Sequence, residues 1–195
     1  MNRVPSHTPS APSVNAAASP RPSTMPLVPQ IVDEVGDRVP VVAAGGIFDG
    51  RGLAAAISLG ADGVWLGTRF IATPEARTVR GYKEALLRTP EDGTVISRGF
   101  TGKTLRAVRN EWTQHIEEHP EELTKFPEQM MRAIEANALH LGGDENSDVD
   151  PDKECYPAGQ GVGALHALQP AGDLVRQIVD EAEHALARAA ATVVR

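Results

Sequence analysis

The stretch from Val39 to Phe70, VPVVAAGGIFDGRGLAAAISLGADGVWLGTRF, constrains the fold more than any other part of this chain. Val39–Ala44 is an apolar run of strand length, which predicts a parallel strand buried on both faces. Gly45-Gly46 ends it. Asp49-Gly50-Arg51-Gly52 is a turn entering a helix expected to reach Leu59, where Gly60 caps it, and Gly63–Leu66 reads as the second strand. Strand, glycine turn, helix, strand and a Gly67-Thr68 turn together make a βαβ unit. Its two turns fall at the same end of a parallel sheet. Glycine lets backbone N–H groups approach an anion without a side chain in the way, so the pair of turns predicts a cradle for the phosphate of a nucleotide cofactor. The candidate contacts are Ala44, Gly45, Gly46, Gly67 and Thr68, chiefly through backbone N–H groups.

Composition sets the outer bounds. A chain of 195 residues holds one medium domain, or one domain with an insert. Its net charge of −7 argues against nucleic-acid or anionic-membrane partners. The lone Cys155 excludes an internal disulfide and fits a reducing, cytoplasmic setting. No apolar run approaches the roughly 20 residues that a membrane span requires, and no secretory leader is evident.

Outside the βαβ unit the chain divides by composition. Residues 1–24 form a Pro/Ser/Ala-rich tract expected to be disordered. Leu27, Val28, Ile31, Val32 and Val35 stand at helical spacing, with Pro26 and Pro29 in the first turn and Gly36 at the C-cap. Pro74–Leu87 and Leu105–Glu118 read as helices, and Glu121–Ala138 as one or two more. Gly142–Pro157 is an acidic loop. Ala171 to about Val193 is an amphipathic helix with Leu174, Ile178, Val179, Ala182, Leu186 and Ala189 on one face.

Several motifs resemble the C-terminal half of nitronate monooxygenases, formerly 2-nitropropane dioxygenases. They are Leu27-Val28-Pro29, Pro40–Ile47, Asp49–Gly52, Leu59–Val64, Leu66–Phe70, Ala72-Thr73 with Glu75, Arg106–Asn110 and Tyr156–Gly161. The resemblance covers about Thr24 to Arg195. It implies an α/β fold: the last two βα units of an FMN-binding TIM barrel (residues 25–73 and 156–195), with a helical insert and acidic loop at 74–155. The two glycine turns would then hold the FMN phosphate. The implied reaction is oxidation of an alkyl nitronate with dioxygen to a carbonyl compound and nitrite. An FMN-dependent enoyl-acyl-carrier-protein reductase of the same superfamily is the alternative, and an inactive truncated remnant is a third reading. In the family a histidine in a Gly-Gly-His motif serves as base; here His7, in Ser6-His7-Thr8, lacks both glycines and reads as a tail residue, so no catalytic base is named. A partial barrel leaves ladder edges open, which implies a homo-oligomer or a complementing barrel half.

Other motifs read as structural. His115-Ile-Glu-Glu-His119 matches the H-x-x-E-H pattern of zinc peptidases, but Pro120 pushes His119 out of helical geometry, so a solvated helix end and no metal are expected. Gly99–Thr104 resembles the end of a P-loop, yet Ser97 stands where its first glycine belongs. Asp144, Asn146 and Asp148 begin like a calcium loop but lack its glycine and closing Glu. Gln160, between Gly159 and Gly161, is read equally well as a ligand contact or as part of a hinge. Arg69 is assigned to either a cofactor phosphate or a surface carboxylate. Cys155 has no cationic neighbour to make it a thiolate.

Overall fold

The computed structural model describes residues 23–193, so residues 1–22 of the Pro/Ser-rich tract, His7 among them, lie outside the described residues. Ser23 and Thr24, expected to be disordered with that tract, form the N-cap and first residue of a helix. Helix α1 (Thr24–Val35) leads into strand β1 (Val42–Ala44), helix α2 (Gly50–Ser58) and strand β2 (Gly63–Trp65). The two strands pair in parallel, Val42 beside Gly63 and Ala44 beside Trp65. Asp49 caps α2 by accepting from the Gly52 N–H at 2.9 Å. At the other end Gly60 adopts φ +94°, and a Cβ there would stand 2.8 Å from Val32 Cγ1, so only glycine closes this turn against α1. Val28, Ala43, Ala56 and Ala61 form the small-residue core of the unit.

The strands are shorter than the apolar runs, and the sheet is covered on one face only. Val42 is 45% exposed and Trp65 64%, because α1 and α2 pack on the side of Ala43 and the described residues add no third strand. Burial on both faces, expected from the sequence, therefore does not occur. Helix α1 also begins at Thr24, which moves Pro29 from the first turn into the helix interior.

Short helix α3 (Thr68–Ile71) follows β2. The chain then stays non-helical from Pro74 until Gly81, whose left-handed φ of +78° turns it into α4 (Tyr82–Arg88). The single helix expected over Pro74–Leu87 is thereby reduced to its last turns. The second expected helix, Leu105–Glu118, divides as well. Strand β3 (Thr94–Ser97) pairs antiparallel with β4 (Leu105–Val108), and α5 (Glu111–Glu118) starts only after Asn110. The cause is local: Asn110 accepts from the Thr113 N–H while its own N–H donates to Thr113 Oγ1, a reciprocal cap that fixes the helix start there. Ala107 is fully buried beside Phe100, Ala133 and Cys155, and Leu105, two residues earlier, packs against the same cluster, the period-2 spacing of a strand. Gly99–Thr104 lies in the hairpin and its connection, not in a phosphate loop. Its Gly102, at φ +76°, lies so close to the Phe126 N–H that a Cβ would stand 2.4 Å away.

A 3₁₀ turn (Pro120–Glu122) and α6 (Glu128–Glu135) occupy the Glu121–Ala138 region. The acidic loop contains neither strand nor helix. Within it the Asp144 carboxylate accepts from the Asn146 N–H, capping its own turn. Glu154 is buried there and pairs with His140 at 2.6 Å.

The last helix, α7 (Ala171–Val193), packs along α2 with Leu174, Ile178 and Ala182 inward. Glu181 Oε2 accepts from the Gly50 N–H at 2.9 Å, fixing the two helices in register. Val179 and Leu186 remain exposed, so only part of the expected apolar face is covered.

Candidate functional site: a glycine-lined cavity beyond β1

Both glycine turns lie at the carboxyl end of the parallel pair. Gly45 and Gly46 follow β1 at φ +103° and +73°, two successive left-handed residues that only glycine adopts cheaply. The Thr24 hydroxyl holds the turn from behind, within 3.1 Å of the Ala44 carbonyl oxygen and 2.9 Å of that of Gly45. With those carbonyls held by α1, the amides of the turn are left for another partner. Among the described residues, none of the N–H groups of Gly45, Gly46, Gly67 and Thr68 donates to a backbone carbonyl outside the regular ladders. A Cβ built on Gly46 or Gly67 meets nothing within 4 Å, so open space stands in front of both turns.

A cavity of about 270 Å³ opens at the first turn, lined by Thr24, Val28, Gly45, Gly46, Gly159 and Gln160 among others. Of the five candidate contacts, Gly45 and Gly46 line it directly. Ala44, Gly67 and Thr68 do not, but Thr68 borders it through Gly159, whose N–H donates to Thr68 Oγ1 at 2.8 Å. Gln160 lines it too.

Arg106 is the residue that sequence reasoning missed here. It enters the same cavity from β4, opposite Ile96 in the hairpin. Its Nη1 donates to Thr94 Oγ1 at 2.6 Å, while its Nε is buried with no partner among the described residues. Burial lowers its pKa from the ordinary guanidinium value. The residue as a whole is half-buried, and a buried N–H left without an acceptor is costly unless a ligand meets it. The alternation of β4 was the available signal: with Ala107 buried, its neighbour Arg106 points the other way.

Arg69 faces away from this cavity. Its Nη2 donates to Gln169 Oε1 at 2.9 Å, and it lines the groove between α2 and α7. Burial lowers its pKa as well, with the charge of Glu181 acting in the other direction. Cys155 is buried and its thiol is pushed up by that burial and by Glu154, so it offers no thiolate.

The nitronate monooxygenase family profile matches residues 7–181. The chain belongs to the nitronate monooxygenase family. A probable nitronate monooxygenase of Staphylococcus saprophyticus is 41% identical over 121 residues, covering 61% of this chain and 34% of the relative. One from Staphylococcus aureus strain Newman is 37% identical over 161 residues, covering 81% and 42%. Among solved structures, FabK from Thermotoga maritima superposes with a TM-score of 0.72 at 28% identity, over 88% of this chain and 52% of FabK. Nitroalkane oxidase from Streptomyces ansochromogenes gives 0.65 at 31% identity, over 84% and 44%. The chain thus spans less than half the length of these curated relatives and about half that of the solved structures. Its α/β fold is the one these enzymes share.

Proposed function

We propose that this chain carries the phosphate-gripping part of an FMN-dependent oxidoreductase of the nitronate monooxygenase type. One observation carries the reading: two turns with unspent amides share one end of a parallel pair, and Arg106, whose Nε–H has no acceptor among the described residues, enters the cavity beside the first of them. The residues fit the group. The amides of Gly45, Gly46, Gly67 and Thr68 would hold the phosphate, with Ala44 ending the strand that aims them and Arg106 supplying charge. Gln160 would contact the cofactor or substrate from the cavity wall.

FMN held there would supply the redox chemistry by which an alkyl nitronate is oxidised with dioxygen to a carbonyl compound and nitrite. The chain's own residues bind and orient. Thr24 keeps the carbonyls of the first turn away from the anion, and Thr68 ties the second turn to Gly159. We assign residues 25–73 and 156–195 to the barrel portion and 74–155 to the insert. We further assign the exposed Val42 and Trp65 to a contact with a second copy or a complementing barrel half. No membrane or nucleic-acid partner is assigned, and no helix among the described residues is long and apolar enough to cross a membrane.

The test is reconstitution of the full chain with FMN, followed by desalting. A yellow protein that consumes dioxygen only when an alkyl nitronate is added supports the reading. Consumption of NADH with an enoyl thioester instead would transfer the chain to the reductase alternative. A protein that stays colourless at saturating FMN would remove the proposal.

A further inference from the structure

The end of α5 carries a second cluster, unrelated to the cavity. His119 leaves the helix at φ −125° and ψ 60°, outside the α region that the following Pro120 disfavours. Its ring nevertheless stays over that of His115, with centroids 4.8 Å apart. The 3₁₀ turn then brings the chain back: the Glu122 N–H donates to the His119 carbonyl at 3.0 Å, carrying both Glu121 and Glu122 toward the two imidazoles. His115 Nε2 lies 3.1 Å from Glu122 Oε2, and His119 Nδ1 lies 3.3 Å from Glu121 Oε1. One ring nitrogen of His119 and one oxygen from each glutamate all lie within 4.8 Å of one another.

We infer that His115, His119, Glu121 and Glu122 bind a divalent transition-metal ion of the zinc class. Two imidazole nitrogens and two carboxylate oxygens suit zinc, nickel or copper far better than magnesium or calcium, which take oxygen ligands. Bonds of about 2.0–2.2 Å in tetrahedral geometry put donor atoms roughly 3.3 Å apart. The two measured pairs already meet that spacing; His115 approaches Glu122 but stands outside the three-residue group, so binding requires its ring to rotate inward, which its partial exposure allows. The local field favours a cation. The carbonyl end of α5 lies at His119.

The main competitor is Arg132. Its Nη2 lies 3.4 Å from Glu122 Oε2, but its Nη1 is bonded to the Glu122 carbonyl, so it is anchored without needing the carboxylate. Four protein ligands would leave no open position. The ion therefore staples α5 to the 3₁₀ turn, and hydrolysis is not implied. This departs from the sequence expectation of no metal: the turn after Pro120 returns two carboxylates to the histidine pair, which the H-x-x-E-H spacing alone does not reveal.

Zinc titration of the full chain by calorimetry, with cobalt absorption as a reporter of tetrahedral coordination, tests the site. One ion should bind per chain. His115→Ala and His119→Ala should each weaken binding at least about tenfold, the lower range for losing even an outer partner of a metal ligand. The conservative Glu121→Gln should weaken it with the helix content unchanged, and His184→Ala, on distant α7, should leave it unaltered. Absence of saturable binding, or binding indifferent to both His115→Ala and His119→Ala, would overturn the assignment.

Discussion

Arg106→Met separates a phosphate-binding arginine from a merely structural one. Methionine keeps much of the side-chain length and removes the charge. In the free protein the change deletes the charge-assisted bond from Nη1 to Thr94 Oγ1, a loss of about 1.5–3 kcal/mol of stability. It also relieves the Nε–H of a burial for which the described residues supply no acceptor, so the net change in unfolding free energy should be small. With FMN bound, the loss is a charge-assisted hydrogen bond, about 1.5–3 kcal/mol, or roughly 10- to 150-fold in affinity. Riboflavin has the same ring and ribityl chain but no phosphate. Fluorescence titrations of wild type and variant with both flavins therefore form a cycle. The arginine should matter for FMN and not for riboflavin. An equal loss for both flavins would place Arg106 against the ring or in the fold, and no loss for either would remove it from the site.

Two further outcomes follow from packing and protonation. A Cβ at Gly50 would stand 2.3 Å from Glu181 Cβ, 2.5 Å from the Ile178 carbonyl oxygen and 2.6 Å from the Ala182 nitrogen. Two of these are backbone atoms that cannot swing aside, so Gly50→Ala should cost about 3 kcal/mol, the upper end for overpacking, read as a lowered urea midpoint. Burial holds the Cys155 thiol above its ordinary value, so the native state keeps a proton that the unfolded chain releases above about pH 8.5. That stabilisation is complete below pH 8.5 and is lost as the pH rises further. Urea midpoints from pH 7 to 10 should fall more steeply for wild type than for Cys155→Ala, and parallel curves would contradict this account.

The parts of the fold legible in the sequence are those built from local pattern. The βαβ unit shows as two apolar runs separated by Asp49, Gly60 and a small-residue helix, and α7 shows as an amphipathic period bounded at Ala171. The hairpin was not legible in the same way. Leu105, Val108 and Trp112 also satisfy helical spacing, and the choice falls to β4 because Ala107 is buried under Phe100 and Ala133, contacts distant along the chain. The candidate site divides along the same line. Gly45 and Gly46 announce themselves because an αL pair needs glycine. Arg106 reaches the cavity only through its pairing opposite Ile96, a non-local fact. The two glutamates beside His115 and His119 were hidden for a related reason, since a 3₁₀ turn after proline reverses the direction that helical spacing would assign.

A crystal structure of the full chain grown with FMN tests the central claim most directly. The account predicts the phosphate beyond the carboxyl ends of β1 and β2, within about 2.7–3.2 Å of the amide nitrogens of Gly46 and Thr68. FMN bound with its phosphate away from both turns, and those amides facing only solvent, would contradict it.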